Sequence, residues 1–161
     1  TLTRSSAASD VYKRQQYEVS NFAKADFQSR SNLKVWDGQP YLGLGCGAHS
    51  FDGVNRWGNV RSMRKYMESV GREEPPRDFM ETPTRLQQAS ERLMLSLRRP
   101  EGLNILSWQE EFQIGLSLEQ KNQMEKLKDQ DLVSWESPIL KLTTEGMLLA
   151  DAITAELMPE A

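Results

Sequence analysis

Three alternating glycines, Gly43-x-Gly45-x-Gly47, followed at once by Ala48-His49-Ser50, form the segment of this chain best suited to holding a ligand. Glycine tolerates positive φ and carries no Cβ, so a bound molecule can reach the backbone there. The spacing is not that of a dinucleotide fingerprint, and no Lys-Ser or Lys-Thr follows as in a phosphate loop. The glycines alone therefore do not argue for a nucleotide, and a tight strand exit is the other reading. Two reactive side chains sit in the same segment. His49 is the only histidine, a natural acid, base or iron ligand by type, with a backbone or packing role the favoured reading. Cys46 is the only cysteine and reads as a small residue in a tight loop, because no second side chain is placed to activate it. No catalytic residue and no metal ligand is assigned.

The elements that position this loop follow from periodicity. Tyr17 to Ser20 alternates apolar and polar like a half-buried strand, and Asn21-Phe22-Ala23 turns the chain at its end. Glu18, Ser20 and Asn21 would then lie at a strand end, facing a pocket or merely capping a turn. A second strand is expected at Tyr41 to Leu44, running into the glycines, and a helix at about Ser62 to Val70. Gly71 to Pro83, GREEPPRDFMETP, concentrates charge and proline and reads as a linker or domain seam.

Beyond it the pattern is mostly helical. Thr82 is an N-cap candidate with Pro83 in the first turn, and Leu86, Ala89, Leu93, Met94 and Leu97 recur on one face ahead of Pro100. A shorter helix is expected over Leu106 to Phe112, and Ser117 caps another over Leu118 to Lys128 that turns Met124 and Leu127 inward. Leu132 to Trp135 and Ile139 to Leu142 read as a small hairpin around Glu136-Ser137-Pro138. A final helix runs from Thr143 or Thr144 to about Leu157, with Met147, Ala150, Ile153 and Leu157 on one side. Helix, helix, helix, hairpin, helix is a winged-helix order.

That order invites a nucleic-acid or protein-binding module, and charge decides between them. Leu118 to Ala161 holds four lysines, no arginine and nine acidic residues, a net of −5, whereas phosphate contacts need a basic face. A structural or partner-docking module fits better, and no nucleic-acid partner is expected. Arg56, Arg61, Arg64 and Lys65 make the one basic stretch, which an exposed helical face explains and which carries no functional assignment. With 161 residues, 38% hydrophobic and 27% charged, the whole is ordinary globular usage for one domain or two small ones. The net charge of −3 gives no general affinity for nucleic acid or anionic membrane. No apolar run approaches a membrane span, no secretory pattern is seen, and a single thiol suits a reducing compartment, so the cytoplasm is expected.

The stretch YEVSNFAKADFQSRSNLKVWDGQPYLGLGCGAHSF from Tyr17 to Phe51, with Arg56-Trp57-Gly58-Asn59, Tyr66 and Glu91-Arg92-Leu93-Met94-Leu95, resembles the C-terminal portion of the HemW and HemN family. This family comprises radical S-adenosylmethionine proteins: HemW-type heme chaperones and oxygen-independent coproporphyrinogen III oxidases of porphyrin biosynthesis. The resemblance covers about Tyr17 to Leu157. It implies an α/β fragment, with the last strands of a partial β/α radical SAM barrel in residues 16–75 and a mostly helical, winged-helix-like C-terminal domain in 76–161. It also implies a glycine loop near bound S-adenosylmethionine at the barrel's C-terminal mouth, with Gly45, Gly47, Ala48 and His49 as neighbours of the adenosine. The YExSNFA and GxGxGAHS wording is closer to the chaperones, so heme is the expected cargo, delivered to an acceptor protein the sequence does not identify. A porphyrinogen as oxidase substrate is the alternative.

Two departures qualify the resemblance. The family's Cys-x-x-x-Cys-x-x-Cys loop, which ligates a 4Fe-4S cluster, is absent, so this chain by itself is expected to be inert. Where many HemW-type proteins read His-Asn-x-x-Tyr-Trp, with the histidine taken as a heme ligand, this chain reads Ser31-Asn32-Leu33-Lys34-Val35-Trp36. Serine cannot replace imidazole as an iron ligand. Ser5 to Gln15, SSAASDVYKRQ, looks like an in-frame translation of a transposon-type sequencing adapter, so residues 1–15 are expected to be disordered and foreign to the fold. A polar native tail is the alternative.

Overall fold

A chain with apolar periodicity concentrated after residue 84 should build its core there, and it does. The structure, a computed structural model, describes residues 14–159. The buried cluster is Ala89, Leu93, Leu97, Leu103, Ile105, Trp108, Phe112, Met124, Leu127, Val133, Leu140, Leu142, Ala150, Ile153 and Leu157. The earlier part of the chain adds Tyr17 to the buried apolar residues.

Two short strands, β1 (Gln15–Gln16) and β2 (Phe22–Ala23), pair antiparallel, and α1 (Arg30–Trp36) follows. The strands β3 (His49–Phe51), β4 (Arg56–Asn59) and β5 (Arg77–Glu81) form an antiparallel sheet in sequence order, with α2 (Met63–Gly71) connecting β4 to β5. Then come α3 (Arg85–Leu97), β6 (Leu103–Asn104), α4 (Ile105–Phe112), α5 (Leu118–Asp129), the hairpin β7 (Val133–Glu136) and β8 (Ile139–Leu142), α6 (Thr144–Met147) and α7 (Ala150–Leu157). The last sheet has the order β6-β8-β7. The chain is thus α/β, and among the described residues its strands make small sheets without a closed barrel. No described helix is long and apolar enough to cross a membrane.

Capping chemistry sets most helix starts. Ser62, Thr84, Asn104 and Ser117 each accept a backbone N–H from the first turn that would otherwise lack a partner. Thr84 with Gln87 and Ser117 with Gln120 complete reciprocal capping boxes. Gln120 is itself buried, and its Nε2 donates to the Leu157 carbonyl at 2.9 Å, tying α5 to the end of α7. Trp108 is 2% exposed, and its Nε1 donates to the Ala89 carbonyl at 2.9 Å, so α4 is bonded as well as packed onto α3.

Several expectations need correction. Tyr17 to Ser20 is not a strand but the bend between β1 and β2. Glu18, fully buried, accepts from the Ser20 amide at 3.1 Å and from Asn21 Nδ2, so local side-chain bonding outweighs the alternation. The pairing begins at Gln15, which faces Ala23, while the adapter-like residues before Arg14 lie outside the described part. The strand expected at Tyr41 to Leu44 reduces to a single bridge, Tyr41 with Phe51, because the glycines turn the chain away. The seam at Gly71 to Pro83 contains β5, whose alternation is lost because all five residues are exposed; pairing to β4 makes it a strand. The α3 cap is Thr84 rather than Thr82, since only Thr84 has a glutamine three residues on, and Thr82 Oγ1 donates to Asn55 Oδ1 at 2.6 Å instead. The final helix is broken at Leu148 and Leu149, whose amides bond three residues back to Glu145 and Gly146 and tighten the turn.

Candidate functional site

Residues 43–48 form a loop whose shape is dictated from the sheet beneath it. Asn59, at the end of β4 and 8% exposed, donates through Nδ2 to the Gly45 carbonyl at 2.9 Å and to that of Gly43 at 3.4 Å. Its own amide donates to the Ala48 carbonyl at 2.8 Å. The fully buried Ser50 Oγ accepts the Gly43 amide at 2.9 Å, Tyr66 of α2 accepts the Gly45 amide through its phenol oxygen at 3.1 Å, and the Gly47 amide donates to the Val60 carbonyl at 3.0 Å.

The glycines serve different ends. Gly45 and Gly47 have φ of 102° and 69°, conformations side chains rarely adopt. A Cβ on Gly45 would meet nothing within 4 Å, so its outer side is open to a ligand. Gly43 is cramped instead: a Cβ there would stand 2.1 Å from the His49 carbonyl oxygen.

The residues singled out from sequence divide accordingly. Gly45, Gly47 and Ala48 share the loop, and Cys46 is half-buried within it. His49 begins β3 opposite Gly58 with its side chain exposed, edge-on to Phe79 at 5.6 Å between ring centroids. Glu18, Ser20 and Asn21 form their own turn, and none of them is bonded to the glycine loop. Ser31 is exposed in the first turn of α1, Asn32 supplies the amide that Ser29 caps, and Trp36 lies under the Arg98 guanidinium at 5.6 Å. Arg61, Arg64 and Lys65 are exposed around the start of α2.

A cleft of about 340 Å³ lies between α1, β3 and the α3–α4 pair. Its apolar wall includes Val35, Tyr41, Phe51, Met94, Leu95 and Phe112, with Arg56, Glu91, Arg92 and Glu111 supplying charge. Arg56 bonds Glu81 at 2.6 Å and pairs with Glu91. Burial works against its charge, but the hydrogen bond to Glu81 and the negative charge of Glu91 prevail, and the guanidinium holds its proton above the ordinary value. Arg92 Nη1 donates to the Asp37 carbonyl at 3.0 Å, and its Nη2 faces Glu111 at 3.7 Å. With its positive charge already answered, the cleft suits an apolar or amphipathic molecule better than a free anion. Sequence reasoning missed this cleft; Val35, Tyr41, Phe51, Arg56 and the Glu91-to-Leu95 segment were noted for wording rather than position.

The residues present do not fit an iron-sulfur cluster. Cys46 is one thiol, and among the described residues no group of three histidine, cysteine or carboxylate side chains could hold a metal.

No family model matches the chain. Over 146 residues, 90% of its length, it is 31% identical to a Bacillus subtilis protein named heme chaperone HemW. Over 142 residues it is 31% identical to a Mycobacterium tuberculosis protein of the same name. The chain spans 38% and 34% of the lengths of these two relatives. In fold it resembles the coproporphyrinogen III oxidase HemN of Escherichia coli, a radical SAM enzyme, with a TM-score of 0.77 and 17% identity, covering 98% of this chain and 40% of that one.

Proposed function

We propose, from the chain's place in the HemW/HemN family, that it is the C-terminal part of a HemW-type heme chaperone, working on heme as cargo. The observation that carries the reading is the similarity to HemW-named proteins along 90% of the chain. An oxidase part acting on a porphyrinogen is the alternative. On this reading residues 16–75 are the end of the barrel. Leu42, Leu44, Met63, Met67 and Val70 are all exposed, and on this reading the remainder of a longer protein would cover them. Residues 76–161 are the winged-helix-like module, and its acidic balance favours a protein contact over a nucleic-acid one. The 4Fe-4S cluster would be held by cysteines outside this chain.

The glycine loop is the adenosine side of the S-adenosylmethionine site. Gly45 offers open space and Gly47 keeps the turn, with Ala48 and His49 following directly. S-adenosylmethionine, when bound, would supply the radical chemistry of the family. This chain's share is to bind and orient it.

Heme is expected to meet the chain where α1 borders the cleft. Ser31 and Val35 are one helical turn apart and share a face, and Val35 lines the cleft. An imidazole at position 31 would therefore stand at the rim. Soret titration should show weak heme binding without a defined axial ligand in the wild-type chain, and tighter binding with a histidine-type spectrum in Ser31→His. Equal, tight, histidine-type spectra in both would transfer the ligand role to His49. Absence of binding in both would overturn the heme-carrier reading.

A further inference from the structure

Asn59 and Tyr66 lie in different elements, at the end of β4 and within α2. Both touch the glycine loop with their polar ends. Asn59 Nδ2 draws the carbonyls of Gly43 and Gly45 toward β4, and Tyr66 OH accepts the Gly45 amide. In a trans peptide the C=O of one residue and the N–H of the next point in opposite directions. Turning the Gly43 and Gly45 carbonyls down onto Asn59 therefore turns the amides of Leu44 and Cys46 the other way. Leu44 is 81% exposed, and the space beside Gly45 is open on that side.

We infer that Asn59 and Tyr66 are positioning residues that lock the loop so that the Leu44 and Cys46 amides form a pair of fixed donors for acceptor atoms of an adenosine-type ligand. The two amides flank Gly45, whose own amide is taken by Tyr66, so they stand as separate donors on either side of the open glycine. Because Asn59 is buried and bonded to three loop carbonyls in all, the donor pair is set before a ligand arrives, and the ordering cost of binding is reduced. Asn59 alone reaches both glycine carbonyls, while Tyr66 fixes Gly45 from the other element. The inference rests on the adenosine reading of this loop.

The test uses the chain itself with three probes: S-adenosylhomocysteine, adenosine and methionine. Amide NMR titrations should show S-adenosylhomocysteine and adenosine shifting Leu44 and Cys46, with methionine leaving them unmoved. Tyr66→Phe keeps the ring and removes the acceptor, and should weaken adenosine binding about two- to tenfold while a cooperative thermal unfolding transition is retained. Asn59→Asp keeps the size and places a carboxylate against two carbonyls, and should weaken it tenfold or more. Adenosine binding in wild-type with unmoved Leu44 and Cys46 amides, or with equal affinity in Tyr66→Phe, overturns the inference and leaves the site reading standing. Failure of wild-type to bind S-adenosylhomocysteine or adenosine overturns the site reading and the inference with it.

Discussion

Replacing Gly43 by alanine tests whether the loop is held by contact with the sheet or merely hangs beside it. The added Cβ would lie 2.1 Å from the His49 carbonyl oxygen, 2.9 Å from its carbon and 3.0 Å from the Ala48 Cβ, well inside contact distance. The obstacle is backbone of β3, itself paired to Gly58, so no side chain can swing aside. Overpacking of this kind costs about 1–3 kcal/mol. Moving Gly43 away also breaks its bond to the fully buried Ser50 Oγ and leaves that acceptor unpaired, a further cost of about 1–3 kcal/mol. Together these amount to roughly 2–6 kcal/mol, borne by the loop and β3 rather than by the distant core. Hydrogen exchange of the amides from Gly43 to Ser50 should therefore speed by about thirtyfold or more, the factor matching the lower bound. Gly71→Ala is the control: a Cβ there meets nothing within 4 Å at the end of α2, and the loop amides should be unaffected. Equal protection of the loop in Gly43→Ala and wild-type would refute the reasoning.

Trp108→Ala should destabilise the α3–α7 unit by about 3–5 kcal/mol, a fall in Tm of roughly 6–20 °C, because it empties the core centre and removes the bond to Ala89. Calorimetry showing a shift below 3 °C would count against that core. The amides of Asn55 and Val54 donate to Asp52 at 2.6 and 2.8 Å and hold its carboxyl below the ordinary 3.8. The carboxylate is the favoured folded form, so its support of the β3–β4 turn is complete above the ordinary value and is lost as pH falls through the lower folded one. An NMR titration of the Val54 and Asn55 amides should give midpoints below 3.8, and midpoints at or above it would contradict the geometry.

How much was legible in advance differs between the two halves for a physical reason. In the helical half, each element carries its own instructions: Ser117 with Gln120, Leu93 with Leu97, and Val133 alternating with Trp135 specify start, face and strand locally. Helix bounds there fell within a few residues of expectation. In the first half the elements are two to five residues long outside the helices, and pairing rather than periodicity defines them. β5 is exposed on both faces and has no alternation to read, and α1 is only seven residues long, about two turns, so neither announces itself.

The candidate site shows the same division. The glycines, the single thiol and the missing cluster loop belong to composition and order along the chain, and from these alone the lack of the three-cysteine cluster loop and the glycine-rich turn at residues 43–48 could be stated. The roles of Ser50, Asn59 and Tyr66 could not, because each acts across seven to twenty-one positions through a hydrogen bond that exists only once the sheet and α2 bring them to the loop. The outward face of His49 and the cleft between α1 and α3 were likewise decided by packing. Residue type sets what a side chain can do chemically, and tertiary structure decides which neighbours it meets.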